Sequence, residues 1–273
     1  MPPADKPLPA EIDTTKPSLA RVYDAMLGGK DNFDVDRDLY EKMSELVPET
    51  RQIAWDNRAL LNRVVRWLSN TPGIDQFIDV GSGLPTAENT HEVALRANPD
   101  ATVVYVDNDP SVCAHGRALL EDSDHTYFTA ADLTDPDAIF GSDVVTAHID
   151  LDRPIAVLHF LTLHHIADHA EVERVVQRYV ELMPAGSYLA LTHFQQADGS
   201  TEEGRRFLEA ASRYRASSPG FTARTKEQLE SMMRGLELVE PGLVPVVDWW
   251  PDGPATAPRS FADFLIGGVG RKP

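Results

Sequence analysis

Three acidic residues sit at the ends of three short apolar runs. Asp79 lies within Gln76–Val80, Asp107 follows Val103-Val104-Tyr105-Val106, and Asp132 stands just beyond Thr126–Ala130. The first run breaks into Gly81-Ser82-Gly83-Leu84-Pro85-Thr86, and a helical pattern follows. Glycine in such a turn admits positive φ and lets a ligand come close to the backbone. A carboxylate ending a second strand can accept from both hydroxyls of a ribose. A third acid, flanked by Ala131 and Leu133, suits an exocyclic amine and a ring edge, with Asn108 placed to close over the ring. The chemistry implied is the binding of a nucleoside.

A dinucleotide-binding turn needs a further glycine where Thr86 stands, so that pyrophosphate can reach a helix N-terminus. Pro85-Thr86 does not supply it. Asp79, two residues before Gly81, would repel a pyrophosphate and attract an amino group. The comparison favours S-adenosylmethionine over NAD. Candidate cofactor contacts are therefore Asp79, Gly81, Ser82, Gly83, Asp107, Asn108, Ala131, Asp132 and Leu133. Two of the acids also have a structural role open to them: Asp79 as a cap of the turn, Asp132 as a helix N-cap.

A second group with chemistry is His159, His164 and His165, at and after the end of a fourth apolar run, Pro154–Phe160. Histidine titrates near neutral pH and can take a proton from an oxygen or nitrogen acceptor. His164 and His165, in the loop, are the better catalytic candidates, and His159 sits on the strand itself. The structural alternative is a histidine packed on the sheet, or a polar lead into a helix capped near Asp168. A metal is not expected. Adjacent histidines should diverge, and no cysteine or carboxylate set completes a cage.

These residues need a scaffold, and the chain supplies an alternating one. Strand patterns cover 76–80, 102–107, 126–130, 154–160 and 187–193; helical patterns cover 86–97, 110–121, 135–140, 170–183 and 202–217. Apolar strands separated by such helices predict a parallel sheet covered on both faces, with ligands at the carboxyl ends of its strands. A helix over 225–234 and strand patterns at 236–239, 243–247 and 261–269 lack the long helices of parallel crossovers, which predicts an antiparallel finish.

Ahead of the sheet, residues 1–17 are proline-rich and are expected to be disordered or loosely attached. Residues 18–72 predict a helical extension: a helix capped by Ser18 and stopped by Gly28-Gly29, a second over 35–47 and a third over 50–68. Residues 73–273 form the sheet domain. The Gly28–Phe33 segment has two readings. One is a cofactor lid anchored by Phe33, with Gly29, Lys30 and Asn32 as contacts and Lys30 or Asn32 reaching a carboxylate. The other is a helix C-cap followed by an Asx-type turn. Arg21, Tyr23 and Arg58 are further candidates, or interhelix pairs. An acceptor pocket is expected between the N-terminal helices and the Phe194–Phe221 segment, with Phe194 and Trp249-Trp250 as possible lining.

The 273 residues carry 25 basic and 43 acidic side chains, a formal charge of −18. That balance opposes nucleic acid and anionic membrane as partners. Arg205-Arg206 and Arg213 with Arg215 read as solvated helix faces. One cysteine allows no intrachain disulfide. With no bilayer-length apolar stretch and no signal-peptide core, a cytoplasmic protein is expected.

Phe77–Thr86, Asp107, Ala131-Asp132-Leu133, Pro154–His165 and Leu182–Tyr188 together resemble the class I S-adenosylmethionine-dependent methyltransferases. Ser18–Asp24, Leu27–Phe33 (LGGKDNF), Asn57-Arg58, Tyr105–Pro110, Pro241–Leu243 and Gly268–Pro273 resemble a narrower S-adenosyl methyltransferase family. The resemblance implies an α/β, Rossmann-like three-layer sandwich. Its seven-stranded, mostly parallel sheet would have an antiparallel final strand and an N-terminal helical extension. It also implies bound S-adenosyl-L-methionine and methyl transfer, and leaves the acceptor unnamed. No Asn-Pro-Pro-Tyr-type segment follows the fourth strand, which with the acidic charge points to a small-molecule acceptor. The competing readings are a non-catalytic S-adenosylmethionine or S-adenosylhomocysteine binding protein and an NAD-dependent oxidoreductase.

Overall fold

A computed structural model describes residues 12–86, 88–120, 124–217, 220–253 and 261–273. Most of the proline-rich leader, residues 1–11, lies outside the described residues. Three helices come first: α1 (Leu19–Leu27), α2 (Asp34–Leu46) and α3 (Thr50–Asn70). Alternation follows with β1 (Gln76–Val80), α4 (Thr90–Ala97), β2 (Thr102–Asp107), α5 (Pro110–Leu120) and β3 (Thr126–Ala130). It continues through α6 (Pro136–Phe140), α7 (Asp143–His148), β4 (Ala156–Phe160), α8 (His169–Leu182) and β5 (Tyr188–Phe194). The chain closes with α9 (Glu202–Ser217), α10 (Lys226–Met232), β6 (Glu237–Leu238), β7 (Val244–Pro245) and β8 (Leu265–Arg271).

The strands are ordered β3-β2-β1-β4-β5-β8-β6, with β7 also on β8. The first five are parallel, and β8 runs antiparallel to β5 over Tyr188–Phe194. Both β6 and β7 pair with β8, at Gly270–Arg271 and at Ile266–Gly267. One edge of β8 is filled by β5, so β6 and β7 are two pieces of one edge strand, interrupted near Gly242, whose N–H donates to Val239. Seven strand positions thus hold eight segments. The expected mostly parallel sheet with an antiparallel end is what forms.

Strand alternation sends successive side chains to opposite faces. Ile78, Val80, Val157, Leu189 and Leu191 pack with α6, α8 and α10. Phe77, Val103, Leu158 and Ala190 pack with α3 and α4. The same alternation places the polar strand residues. Asp79 faces α3 and α4, whereas His159 faces α8, where its ring meets Tyr179 edge-on at 4.6 Å.

Two local expectations differ from the structure. The helix after the glycine turn begins at Thr90, not Thr86, because Asn89 and Glu92 form a capping box that starts it there. Helix α7 has no counterpart in the predicted elements: its six residues, capped by Ser142, are too few to show a helical period.

Candidate active site

The carboxyl ends of β1, β2, β4 and β5 open into a cavity of about 540 Å³, roofed by α1, α2 and α3 and walled on one side by α9. Asp79, Gly81, Ser82, Gly83, Asp107, Asn108, Ala131 and Leu133 all line it. The turn is tied to its neighbour strand: Gly81 and Ser82 donate to the Val106 carbonyl, and Gly83 donates to Asp107 Oδ2 at 2.9 Å. Asp107 Oδ1 takes the Asp109 N–H at 2.9 Å. Each oxygen keeps a lone pair for a ligand hydroxyl. Gly81 has a φ of 71°, and a Cβ there would lie 2.4 Å from the Thr162 methyl, so the turn and the end of β4 meet without room for a side chain.

Asp79 is 5% exposed and accepts from Thr90 Oγ1 at 2.6 Å. Burial raises its pKa to about 6, and Asp107 adds to the rise, while Thr90 and the Arg58 guanidinium work against it. Arg58, also buried, lines the cavity, and its Nε has no partner among the described residues. Sequence reasoning left it among the lesser candidates. The available signal was an arginine inside the apolar stripe of α3, between Ala54 and Leu61, where a solvated cation does not belong.

The lid segment is arranged differently from its functional reading. Lys30 is exposed, and Gly29, Lys30 and Asn32 do not line the cavity. Asn32 Nδ2 is committed to Asp24 at 2.7 Å, and Asp24 also accepts from Asp31 N and Thr86 Oγ1. A Cβ on Gly29 would fall 2.0 Å from Asp24 Oδ1 and 2.5 Å from the Thr86 methyl. The segment therefore wraps Asp24 and fastens the α1–α2 junction to the far end of the glycine turn. Asp132 is exposed at the rim, where it holds Asn108 Nδ2 at 3.3 Å and closes an Asx-type turn with Thr134. It caps no helix; Asp135 caps α6.

Beyond the glycine turn, β4 gives way to Leu161, at a left-handed φ of 54°, and then to a 3₁₀ turn, Leu163–His165. That turn brings the His164 and His165 rings to 4.0 Å, against the expectation that adjacent histidines diverge. Both line the cavity, and among the described residues no group of three metal-ligating side chains forms. Burial pushes the His165 pKa down to about 4 and His164 well below its ordinary value, with His165, His193 and Arg224 adding to the effect on His164. Both rings are therefore neutral at neutral pH. His159 lies off the cavity, fully buried, with neither ring nitrogen partnered among the described residues and a pKa lowered by burial to about 3.

Arg224 fixes this loop from behind. Fully buried, it donates to the carbonyls of Leu163, Ile166 and Asp168, and to His193 Nε2 at 2.8 Å. An arginine can only donate, so Nε2 must accept, and His193 is the neutral tautomer whose Nδ1 donates to the Phe194 carbonyl. Phe194 lines the cavity with Phe207, Tyr214 and Phe221. The tryptophan pair does not. Trp249 is buried edge-on against Trp67, and Trp250 is at the surface.

A polar thread joins the roof to the sheet. Leu161 N donates to Thr192 Oγ1 at 2.8 Å, Thr192 to Asn57 Oδ1 at 2.7 Å, Asn57 Nδ2 to the Tyr23 hydroxyl at 2.9 Å, and Tyr23 to the Ala54 carbonyl at 3.1 Å.

Comparison with known proteins places the fold and the family. No functionally curated protein matches the sequence. A crystallised protein of Thermobifida fusca YX, to which methyltransferase activity is provisionally ascribed, is 42% identical with a TM-score of 0.89, over 95% of this chain and 96% of its own. A DUF574 family protein from Streptomyces avermitilis is 36% identical with a TM-score of 0.89, over 96% of this chain and all of its own. An O-methyltransferase family protein from Burkholderia thailandensis shares the fold at 17% identity and a TM-score of 0.51, over 84% of this chain and 62% of its own. The S-adenosyl methyltransferase family matches residues 5–273, nearly the whole chain, and this protein belongs to that family.

Proposed function

We propose that the protein transfers a methyl group from S-adenosyl-L-methionine to a small-molecule acceptor in the cytoplasm. The observation that carries the cofactor is a sorted set of charges around one glycine turn. Asp79 can take an ammonium group, the guanidinium of Arg58, whose Nε has no partner among the described residues, a carboxylate, and Asp107 two ribose hydroxyls; Asn108, Ala131 and Leu133 bound the space for the base. An α-amino acid joined to a nucleoside satisfies all of these. A pyrophosphate would meet Asp79 and Asp107 with only Arg58 in compensation.

The bound sulfonium supplies an activated methyl group, so the protein's own task is alignment and handling of the acceptor's proton. His164 and His165, neutral and facing the cavity, are the bases offered. Arg224 and the 3₁₀ turn hold them in place, and the helical roof keeps water out.

Calorimetry with S-adenosylhomocysteine, S-adenosylmethionine and NAD tests the cofactor. The first two should bind, and Asp107→Ala should weaken binding by about a hundredfold or more, since it removes charge-assisted acceptors of both hydroxyls. Preferential NAD binding would overturn the reading. Labelled S-adenosylmethionine incubated with a metabolite extract then tests transfer; cofactor binding with no labelled product would leave a binding protein.

A further inference from the structure

The end of the cavity beyond the cofactor-facing residues has a chemistry of its own. The charged side chains that line the cavity among the described residues are Arg58, Asp79, Asp107 and Asp109, all at the cofactor end. The rest of the lining is apolar or neutral. An anion placed there would lose its hydration without a counter-charge. A cation would meet no carboxylate, and it would sit beside the positive sulfur of the bound cofactor.

The wall is aromatic and continuous. Phe194 contacts His164 edge-on at 5.1 Å and Phe221 at 5.4 Å, and Tyr214 meets Phe221 edge-on at 5.2 Å. One face of α9 carries Phe207, Ala210, Ala211 and Tyr214 at helical spacing. Two alanines between aromatics about 10 Å apart along the axis leave a gap with ring surfaces at either end. At the centre of the wall is His164, 4% exposed and lining the cavity. Its Nδ1 is shielded and has no partner among the described residues, so the ring edge that lines the cavity is what a ligand hydroxyl can meet.

We infer that this chamber binds an uncharged, flat aromatic molecule whose hydroxyl hydrogen-bonds to the His164 ring between Phe194, Phe221 and Tyr214. The inference rests on the cofactor reading for the placement of the cation, and deepens it by naming the acceptor class. Ring-on-ring contact with these walls adds to simple area burial.

Fluorescence titration with 2-naphthol and its isosteres, in the presence of S-adenosylhomocysteine, tests it. 2-Naphthol should bind about tenfold tighter than 2-methoxynaphthalene, which lacks the donor hydrogen. 2-Naphthoate and 2-naphthylmethylammonium should bind at least about thirtyfold more weakly than 2-naphthol. His164→Phe keeps a ring in the wall and should bring 2-naphthol down to the 2-methoxynaphthalene value. Phe221→Leu, with an unchanged circular dichroism spectrum, should weaken both ring ligands together. Failure of 2-naphthol to bind, equal or tighter binding of either charged isostere, or indifference to His164→Phe would each overturn the proposal. If S-adenosylhomocysteine does not bind, the cofactor reading fails by itself; the naphthalene series without it still decides the chamber's preference.

Discussion

Asp79 owes its behaviour to where strand alternation puts it: inside, on the α3 and α4 face, with a single hydroxyl as its donor. Its raised pKa makes ionisation oppose folding. The stabilisation belongs to the protonated form, is complete below the ordinary carboxylate value, and is lost as pH climbs through about 6. A ligand ammonium reverses that balance by pairing with the ionised form. The affinity for S-adenosylhomocysteine should therefore fall as pH drops below about 6, approaching tenfold per pH unit, because a proton must leave before the pair can form. Calorimetry from pH 5 to 8 reads this directly, and Asp79→Asn should flatten the profile as well as weaken binding. A flat profile in the unaltered protein would remove Asp79 from the amine's site. His164 and His165 should not contribute to that limb, since both stay neutral throughout the range.

Among the elements, α1 and α2 are joined by a buried pair. Asp36 takes the Arg21 Nε at 2.8 Å and the N–H groups of Ser18 and Phe33 at 2.9 Å each. Arg21 spends its remaining donors on Ser111 at the start of α5 and on the carbonyls of Asp13 and Lys16. Ser18 reaches Asp109 next to the nucleoside end of the cavity. The roof is thus pinned beside the glycine turn and the end of β2. Asp36→Ala would strand a buried guanidinium and two backbone donors, at a cost of about 3–5 kcal/mol. The expected outcome is a lower melting temperature and faster proteolytic cleavage within α1 and α2; an unchanged melt would show that the pair does not hold the roof.

The sequence made most of these elements legible, because they rest on local signals. Ser18 caps α1 and Gly28 ends it, and strands β1, β2 and β3 coincide with their apolar runs. The glycine turn and its acids were legible for the same reason: strand ends are visible in one dimension. Arg58 stands out in the sequence only as a further candidate, and α9 only as part of the Phe194–Phe221 pocket wall. Thr192 and Arg224 carry no local signal, because their roles exist through distant partners, as Thr192 has in Asn57, 135 residues away. The Gly28–Phe33 segment keeps two readings in one dimension because a polar, glycine-rich junction looks the same whether it faces a ligand or wraps an inward aspartate, as Asn32 does with Asp24.

In the molecule as a whole, the net charge of −18 lies around a cavity whose acceptor end is uncharged, so the surface field and the chamber select for different things. The field discourages polyanions at a distance. An ion entering the chamber would lose its hydration with no charged side chain to pair with among the described lining residues. The polar thread from Leu161 to Tyr23 has a consequence for observing the roof in motion. Every hydrogen in it is committed in one direction, so the Leu161 amide proton, at the strained end of β4, is coupled through Thr192 to the seating of α3 and α1. That single amide becomes a reporter of lid seating from the opposite side of the cavity. Tyr23→Phe should speed its exchange with deuterated solvent by about tenfold, with amides in the middle of β1 unaffected, and saturating S-adenosylhomocysteine should slow it again.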